Sequence, residues 1–343
     1  MTKMRPLVAG VAMFAAMGSA LVSGSALADT VKIAFIDPLS GLMAPVGQNQ
    51  LKSWQFVADV ANQKGWAGAH KFEVVGFDNK LSPQESLTIL KQAIDQNIRY
   101  IVQGNGSSVG LALQDAVAKH NERNPGKEIV YLNYAAVDPD MTNAKCNYWH
   151  FRLDANSDMK MEAITGNWGS DLALLIKAGK DAGLATNYYT YYAGTTGVPT
   201  AMGAAGAEHV KYVGYYNPNN KGFKGADVIE GFKKKYNDDF YVMASYTGIA
   251  MLSKAFKDAN STDPVKVAKA LEGIKVESMN GLVEMRNTDH QAQQPLVVAT
   301  WTRIDGKEIK YDQENTGYGW KTNAQMDQYV SAQPTSCQMK RPG

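Results

Sequence analysis

From Val31 the chain alternates short apolar runs with stretches in which apolar residues recur every three or four positions. The first pattern reads as buried strand and the second as amphipathic helix. VKIAFID (31–37) is a strand that ends in the loop Pro38-Leu39-Ser40-Gly41. Gly47 to Lys64 reads as a helix with Trp54, Val57, Ala58 and Ala61 on one face. KFEVVGFD (71–78) is the next strand. Ser82-Pro83-Gln84-Glu85 is a capping box with proline at the first helical position, so a helix starts there and runs to about Asn97. A strand at 98–103, a helix from Ser107 to Arg123 and a strand at 129–133 follow. Further on, the pattern gives a helix from Ser170 to Ala182 and strands at 187–194 (NYYTYYAG) and His209–Tyr215. It then gives helices at Phe223–Tyr236, Ala244–Ala259 and Pro264–Glu272. Gly281–Arg286 and Leu296–Ile304 are two β runs separated by polar NTDHQAQQ, most simply a hairpin. The last thirty or so residues read as polar and irregular. Strand–helix alternation of this kind implies an α/β fold with mostly parallel sheets covered by helices on both faces.

The two ends change the picture. Lys3 and Arg5 precede an apolar stretch, Leu7 to Val22, and then Ala26-Leu27-Ala28. That is the pattern of a cleaved export signal, residues 1–28, and it places the protein in the periplasm. No later segment is apolar enough to span a bilayer. The 35 Lys+Arg and 33 Asp+Glu nearly balance, and two of the basic residues lie in the signal. A formally neutral remainder argues against a general nucleic-acid binder. Lys233-Lys234-Lys235 reads as a solvated helix face. In an oxidising compartment the two cysteines, Cys146 and Cys337, are expected to pair and pin the tail to the first half.

Candidate chemistry gathers at Ile98 to Gly110, IRYIVQGNGSSVG, where an apolar run ends in a glycine-rich turn that opens a helix with Ser107 and Ser108. A helix N-terminus carrying free N–H groups and hydroxyls suits an anion, and ligands of open α/β sheets sit at such strand ends. Ile129–Asp138 (IVYLNYAAVD) is a second corner of this kind. Gly106-Ser107-Ser108-Val109-Gly110 also matches G-x-S-x-G, the nucleophile elbow of serine hydrolases. Ser108 would be the nucleophile, and His290, His120, His150 and His209 are possible partners. Gly104-x-Gly106-x-x-x-Gly110 is one residue off the dinucleotide fingerprint. The five histidines are scattered, which argues against a zinc site, and no cofactor is expected. Tyr134, Trp168 and Tyr246 lie at element ends, where rings can cover a ligand.

One junction does not parse. A helix capped by Asn156 or Ser157 would reach Ala163, and Ile164 to Trp168 then looks like a strand end, with no residues left for a turn. Taken in order, VKIAFIDPLSGLMAPVGQ (31–48), the 98–110 corner, NYAAVDPDMT (133–142), YWHFRLDANSD (148–158), GNWGSDLALLIKAGKDAGL (166–184) and the 243–273 helices resemble a known family. It is that of the type I periplasmic substrate-binding proteins of branched-chain amino-acid ABC importers. The resemblance implies two α/β lobes closing on a ligand. Residues 29–153 with 243–280 would form the first lobe and 154–242 with 281–312 the second, with 313–343 as a tail near the hinge. It also implies a second lobe shortened by about two βα units at Ala163/Ile164, and loss of the tyrosine motif and the acidic residue that meets a ligand ammonium. Carried over by position, Ser107 and Ser108 would take a carboxylate, and Tyr134, Ala135 and Ala136 would line the first wall. Asn167, Trp168, Gly194, Thr195, Thr196 and Tyr246 would serve from elsewhere. The expected role is a monomer that captures an amino acid or related carboxylate and delivers it to a membrane permease. A sensor that docks on a membrane receptor and an exported hydrolase using Ser108 are the alternatives.

Overall fold

The computed structural model describes residues 29–161, 176–183, 186–329 and 332–342. Strands β1 (Thr30–Asp37), β2 (Lys71–Asp78), β3 (Tyr100–Gln103), β4 (Val130–Asn133) and β5 (His150–Arg152) lie in the order β2-β1-β3-β4-β5, and all neighbours are parallel. Parallel neighbours need a crossover. Helices α1 (Ala44–Lys64), α2 (Pro83–Asp95) and α3 (Ser107–Arg123) supply three of them. Every residue of β3 and β4 is buried, as both-face coverage requires. The capping box forms: Ser82 Oγ accepts from Glu85 N at 3.3 Å. Helix α1 begins three residues before Gly47, and Gly65 ends it at φ 63°, a conformation glycine adopts without penalty. One face of this sheet packs Phe35, Trp54, Tyr134 and Phe151 into a core. The other packs Ile36, Ile101, Leu113 and Tyr131 against α2 and α3.

After β5 come α4 (Ser157–Met161), a helical segment at 176–181, β6 (Tyr188–Thr190), α5 (Val198–Met202), β7 (Val210–Gly214) and α6 (Ala226–Tyr236). The junction at Ala163/Ile164, and Asn167 and Trp168 with it, lies outside the described residues. Helices α7 (Met243–Ala259) and α8 (Pro264–Leu271) follow, then β8 (Lys275–Ser278), β9 (Gly281–Met285), β10 (Ala292–Gln293), β11 (Leu296–Arg303) and β12 (Tyr318–Met326). A second sheet has the order β12-β11-β7-β6, in which β6 and β7 are parallel and the other pairs antiparallel. Trp301, Trp320, Tyr212 and Val297 fill its core. A small antiparallel sheet, β10-β9-β8, adds Val276, Val283 and Met285 to the first core, together with α7.

Three expectations need correction. Gly281–Arg286 and Leu296–Ile304 are not a hairpin, because β9 pairs with β8 and β10 while β11 pairs with β7 and β12. The polar residues between them are a buried crossing. His290 stacks on Phe151 with ring centroids 4.1 Å apart, and Gln291 accepts from Arg152 Nε at 2.6 Å and donates to Asp154 O at 2.7 Å. The 187–194 strand stops at Thr190, whose Oγ1 accepts from Tyr192 N at 3.1 Å and turns the chain. The C-terminal region contains the nine-residue strand β12, in which Trp320 is buried against Trp301. Cys146 and Cys337 do form a disulfide. Around it, Thr335 Oγ1 donates to Thr142 O at 2.9 Å and Arg341 Nε to Glu272 Oε1 at 2.8 Å.

Candidate functional site

A cavity of about 300 Å³ opens between the carboxyl ends of the first parallel sheet and the second sheet. On the first side its wall is the β3–α3 turn, Gly104 to Ser107, with Ala135 to Val137 after β4, Met43 just before α1, and Val46 and Gln50 on it. The turn is held from behind. Asp37, at the end of β1, accepts from Gly104 N at 2.9 Å, Asn105 N at 2.8 Å and Asn105 Nδ2 at 3.0 Å, and also from the Tyr134 hydroxyl. Gln50 Oε1 accepts from Asn105 Nδ2 at 2.5 Å and lies 2.9 Å from the Tyr134 hydroxyl. Burial pushes the Asp37 carboxyl up to about 7, although the four donors draw it back. A Cβ on Gly104 would lie 2.5 Å from the Tyr134 ring, and Gly106 caps α3 at φ 84°. Both glycines are therefore fixed by space or backbone conformation. The first N–H groups of α3 have no intrahelical acceptor and carry the positive end of its dipole.

The second side is made of side chains. Lys160, on α4, donates to Asp154 Oδ2 at 2.6 Å, and both side chains are only 5% exposed. Ala155 N donates to Asp154 Oδ1 at 2.7 Å. Burial holds the Asp154 carboxyl above its ordinary range, and Lys160 offsets part of the rise. Lys160 Nζ stands 5.2 Å from the centroid of Tyr191, whose ring lies 4.3 Å from that of Tyr192. Tyr212, Tyr215 and Tyr241 complete an aromatic lining, and Gly194 to Thr196 close one edge. Among the described residues that line the cavity, Asp154 is the one carboxylate and Lys160 the one ammonium.

Ser107, Ala135, Ala136, Gly194, Thr195 and Thr196 are thus brought together at the cleft. Ser107 Oγ also accepts from Asp138 N at 3.3 Å, which ties the two corners of the first sheet. Ser108 is exposed and is not part of the lining. Tyr134 is fully buried behind the wall and acts through Asp37 and Gln50. Tyr246 lies edge-on to Trp66, 5.1 Å between ring centroids, and does not line the cavity, because its position on α7 turns it toward the end of α1. No histidine hydrogen-bonds to Ser107 or Ser108 among the described residues. His290 Nε2 faces Glu272 at 3.2 Å, and His120 faces Lys127 O at 3.0 Å. Sequence reasoning missed Asp154, Lys160, Gln50 and Tyr241. Asp154 had a usable signal, since it stands two residues past the end of a parallel strand, where ligands sit. Lys160 had none, for it reads as an ordinary solvated helix residue.

The family model described as "Periplasmic binding protein" matches residues 30–167 and 163–308. The Leu/Ile/Val-binding protein homolog 4 of Brucella abortus (strain 2308) is 26% identical over a 421-residue alignment, covering 98% of this chain and 99% of that protein. The leucine-, isoleucine-, valine-, threonine- and alanine-binding protein of Brucella ovis, solved in a closed conformation, superposes with a TM-score of 0.81 at 24% identity, covering 92% of this chain and 100% of that one. A solute-binding protein of an ABC transporter from Rhodopseudomonas palustris BisB5, solved with 3,4-dihydroxybenzoic acid, superposes with a TM-score of 0.67 at 15% identity, over 87% and 97% of the two chains. A two-sided cleft at the strand ends of an α/β fold, together with a family match over most of the chain, places this protein in the periplasmic binding protein family.

Proposed function

We propose that this protein captures an α-amino acid in the cleft and delivers it to an ABC permease, acting as a monomer in the periplasm after removal of residues 1–28. One observation carries the reading: a single cavity presents the donor-rich start of α3 and the buried Asp154–Lys160 pair. A carboxylate fits the first, and an ammonium finds its counter-charge at Asp154. The tyrosine rings and Val46 and Val213 give apolar cover for the side chain. Kinship to Leu/Ile/Val-binding proteins supports an aliphatic amino acid. Among the described residues no histidine hydrogen-bonds to Ser107 or Ser108, which supports a binding role over covalent chemistry. An aromatic carboxylate is the second reading, favoured by five tyrosines in the lining and by the dihydroxybenzoate-bound relative of the same fold.

Two observations support a second lobe shortened near Ala163/Ile164: the family match breaks and restarts at 163–167, and the Brucella alignment is longer than the chain. The packing of β9 and β10 on the first core supports moving the start of the last second-lobe segment from Gly281 to Leu296.

Thermal melting with L-leucine, L-phenylalanine and 3,4-dihydroxybenzoate tests the function. A ligand at about 100 times its Kd stabilises by roughly 2.7 kcal/mol. An amino-acid ligand should lose more than tenfold in affinity in Asp154→Asn, whereas an aromatic carboxylate should not. No shift with any of the three would overturn both readings.

A further inference from the structure

Asp37 touches no part of the cavity, yet it is the hub of the wall that faces it. Its surroundings can take up one added proton, which turns a hydroxyl hydrogen from one acceptor to another. The Tyr134 hydroxyl has a single hydrogen and two acceptors in reach, Asp37 Oδ2 and Gln50 Oε1. When Asp37 is ionised, that hydrogen points at the carboxylate. When Asp37 is protonated, the carboxyl donates to the Tyr134 oxygen, and the tyrosine hydrogen turns to Gln50. Gln50 and Asn105 both line the cavity, so the protonation state of a buried group is written onto the cleft wall. The other titratable groups facing this hub are few. Strand β4 contributes Tyr131, and the residue after it is Tyr134, both held neutral by burial. Strand β2 contributes Asp78 in register with Asp37, and its Oδ1 is engaged by Leu39 N at 2.8 Å and Lys80 N at 3.0 Å. Helix α1 and the β3–α3 turn offer only the neutral amides of Gln50 and Asn105.

We propose that Asp37 is a positioning residue that couples proton uptake to ligand capture at the start of α3. The inference rests on the amino-acid reading above. Its direction follows from charge. A ligand carboxylate on the first N–H groups of α3 is separated from Asp37 by little more than the Gly104–Asn105 backbone. A second negative charge in a buried setting favours the protonated carboxyl, so binding draws in a proton and affinity falls as pH rises. Burial pushes the Asp37 carboxyl up to about 7, which sets the window at neutral pH.

The test uses the whole protein and two readouts. In ligand-free protein, the amide NMR signals of Gly104 and Asn105 should titrate between pH 6 and 8, and in Asp37→Asn they should not. For L-leucine, Kd measured calorimetrically should weaken about tenfold from pH 6 to pH 8, as uptake of one proton requires. Asp37→Asn should flatten that profile. Static amide signals overturn the coupling, and so does a pH dependence that survives in Asp37→Asn. If L-leucine binds at no pH, the amino-acid reading fails and the coupling with it, whereas amide signals that titrate in the unmodified protein and not in Asp37→Asn still place the proton on Asp37.

Discussion

On the first side of the cleft the polar atoms offered to a ligand are main-chain N–H groups, held by a buried hydrogen-bond knot around Asp37. On the second side they are the side chains of Asp154 and Lys160, 2.6 Å apart and almost fully buried. The two solutions respond differently to mutation. A main-chain donor survives most substitutions near it, so the first side is altered only by moving the backbone. The second side depends on two charges that neutralise one another. Loss of either leaves the other in a medium that does not favour it.

The largest expected effect comes from breaking that pair. Lys160→Met leaves Asp154 buried without its partner and should cost about 3–5 kcal/mol, read from urea unfolding. Adding Asp154→Asn should recover most of the loss. If the double variant were as unstable as the single, the pair would not be the source of the effect. A smaller change is expected for Cys146→Ser, which opens a link between residues 191 positions apart. Its cost should be about 2–4 kcal/mol, and the unmodified protein in reductant should show the same loss. The smallest is Ser107→Ala. The hydroxyl accepts one bond, from Asp138 N at 3.3 Å, and its removal should lower stability by about 0.5–1.5 kcal/mol. Ligand affinity should fall less than tenfold, because the α3 N–H groups remain. A loss as large as that for Asp154→Asn would mean that the two sides do not differ in the way described.

The contrast extends to the sheets. In the first, β1, β2 and β3 are each followed in sequence by the helix that covers them, so local periodicity, the Ser82 capping box and the Gly106 turn were enough to place β1 to β4 and α3, while the three-residue β5 went unread. In the second, β7 pairs with β11 across a long stretch of chain, and β11 then pairs with β12. Strand β12 is half polar, YGWKTNAQM, because one face meets solvent, and it reads as irregular until β11 is beside it. The 287–294 segment misled for the opposite reason. Asp289 to Gln294 are buried, and Gln291 is held by Arg152 and Asp154, so polarity there marks a crossing and not a turn.

The sequence by itself determined the α/β alternation, the disulfide partners and the glycine-rich turn at 104–107 that opens α3, because each follows from neighbours along the chain or from a count of two cysteines. Only the tertiary structure decided which side chains face that corner. Asp154 and Lys160 meet the cleft because β5 ends beside β4, so the residues after it enter at the carboxyl ends of the strands, where Lys160 of α4 pairs with Asp154. Tyr246 misses the cleft because its place on α7 packs it on Trp66. A position along an element is set by local propensity, but the direction a side chain faces is set by what the element packs against.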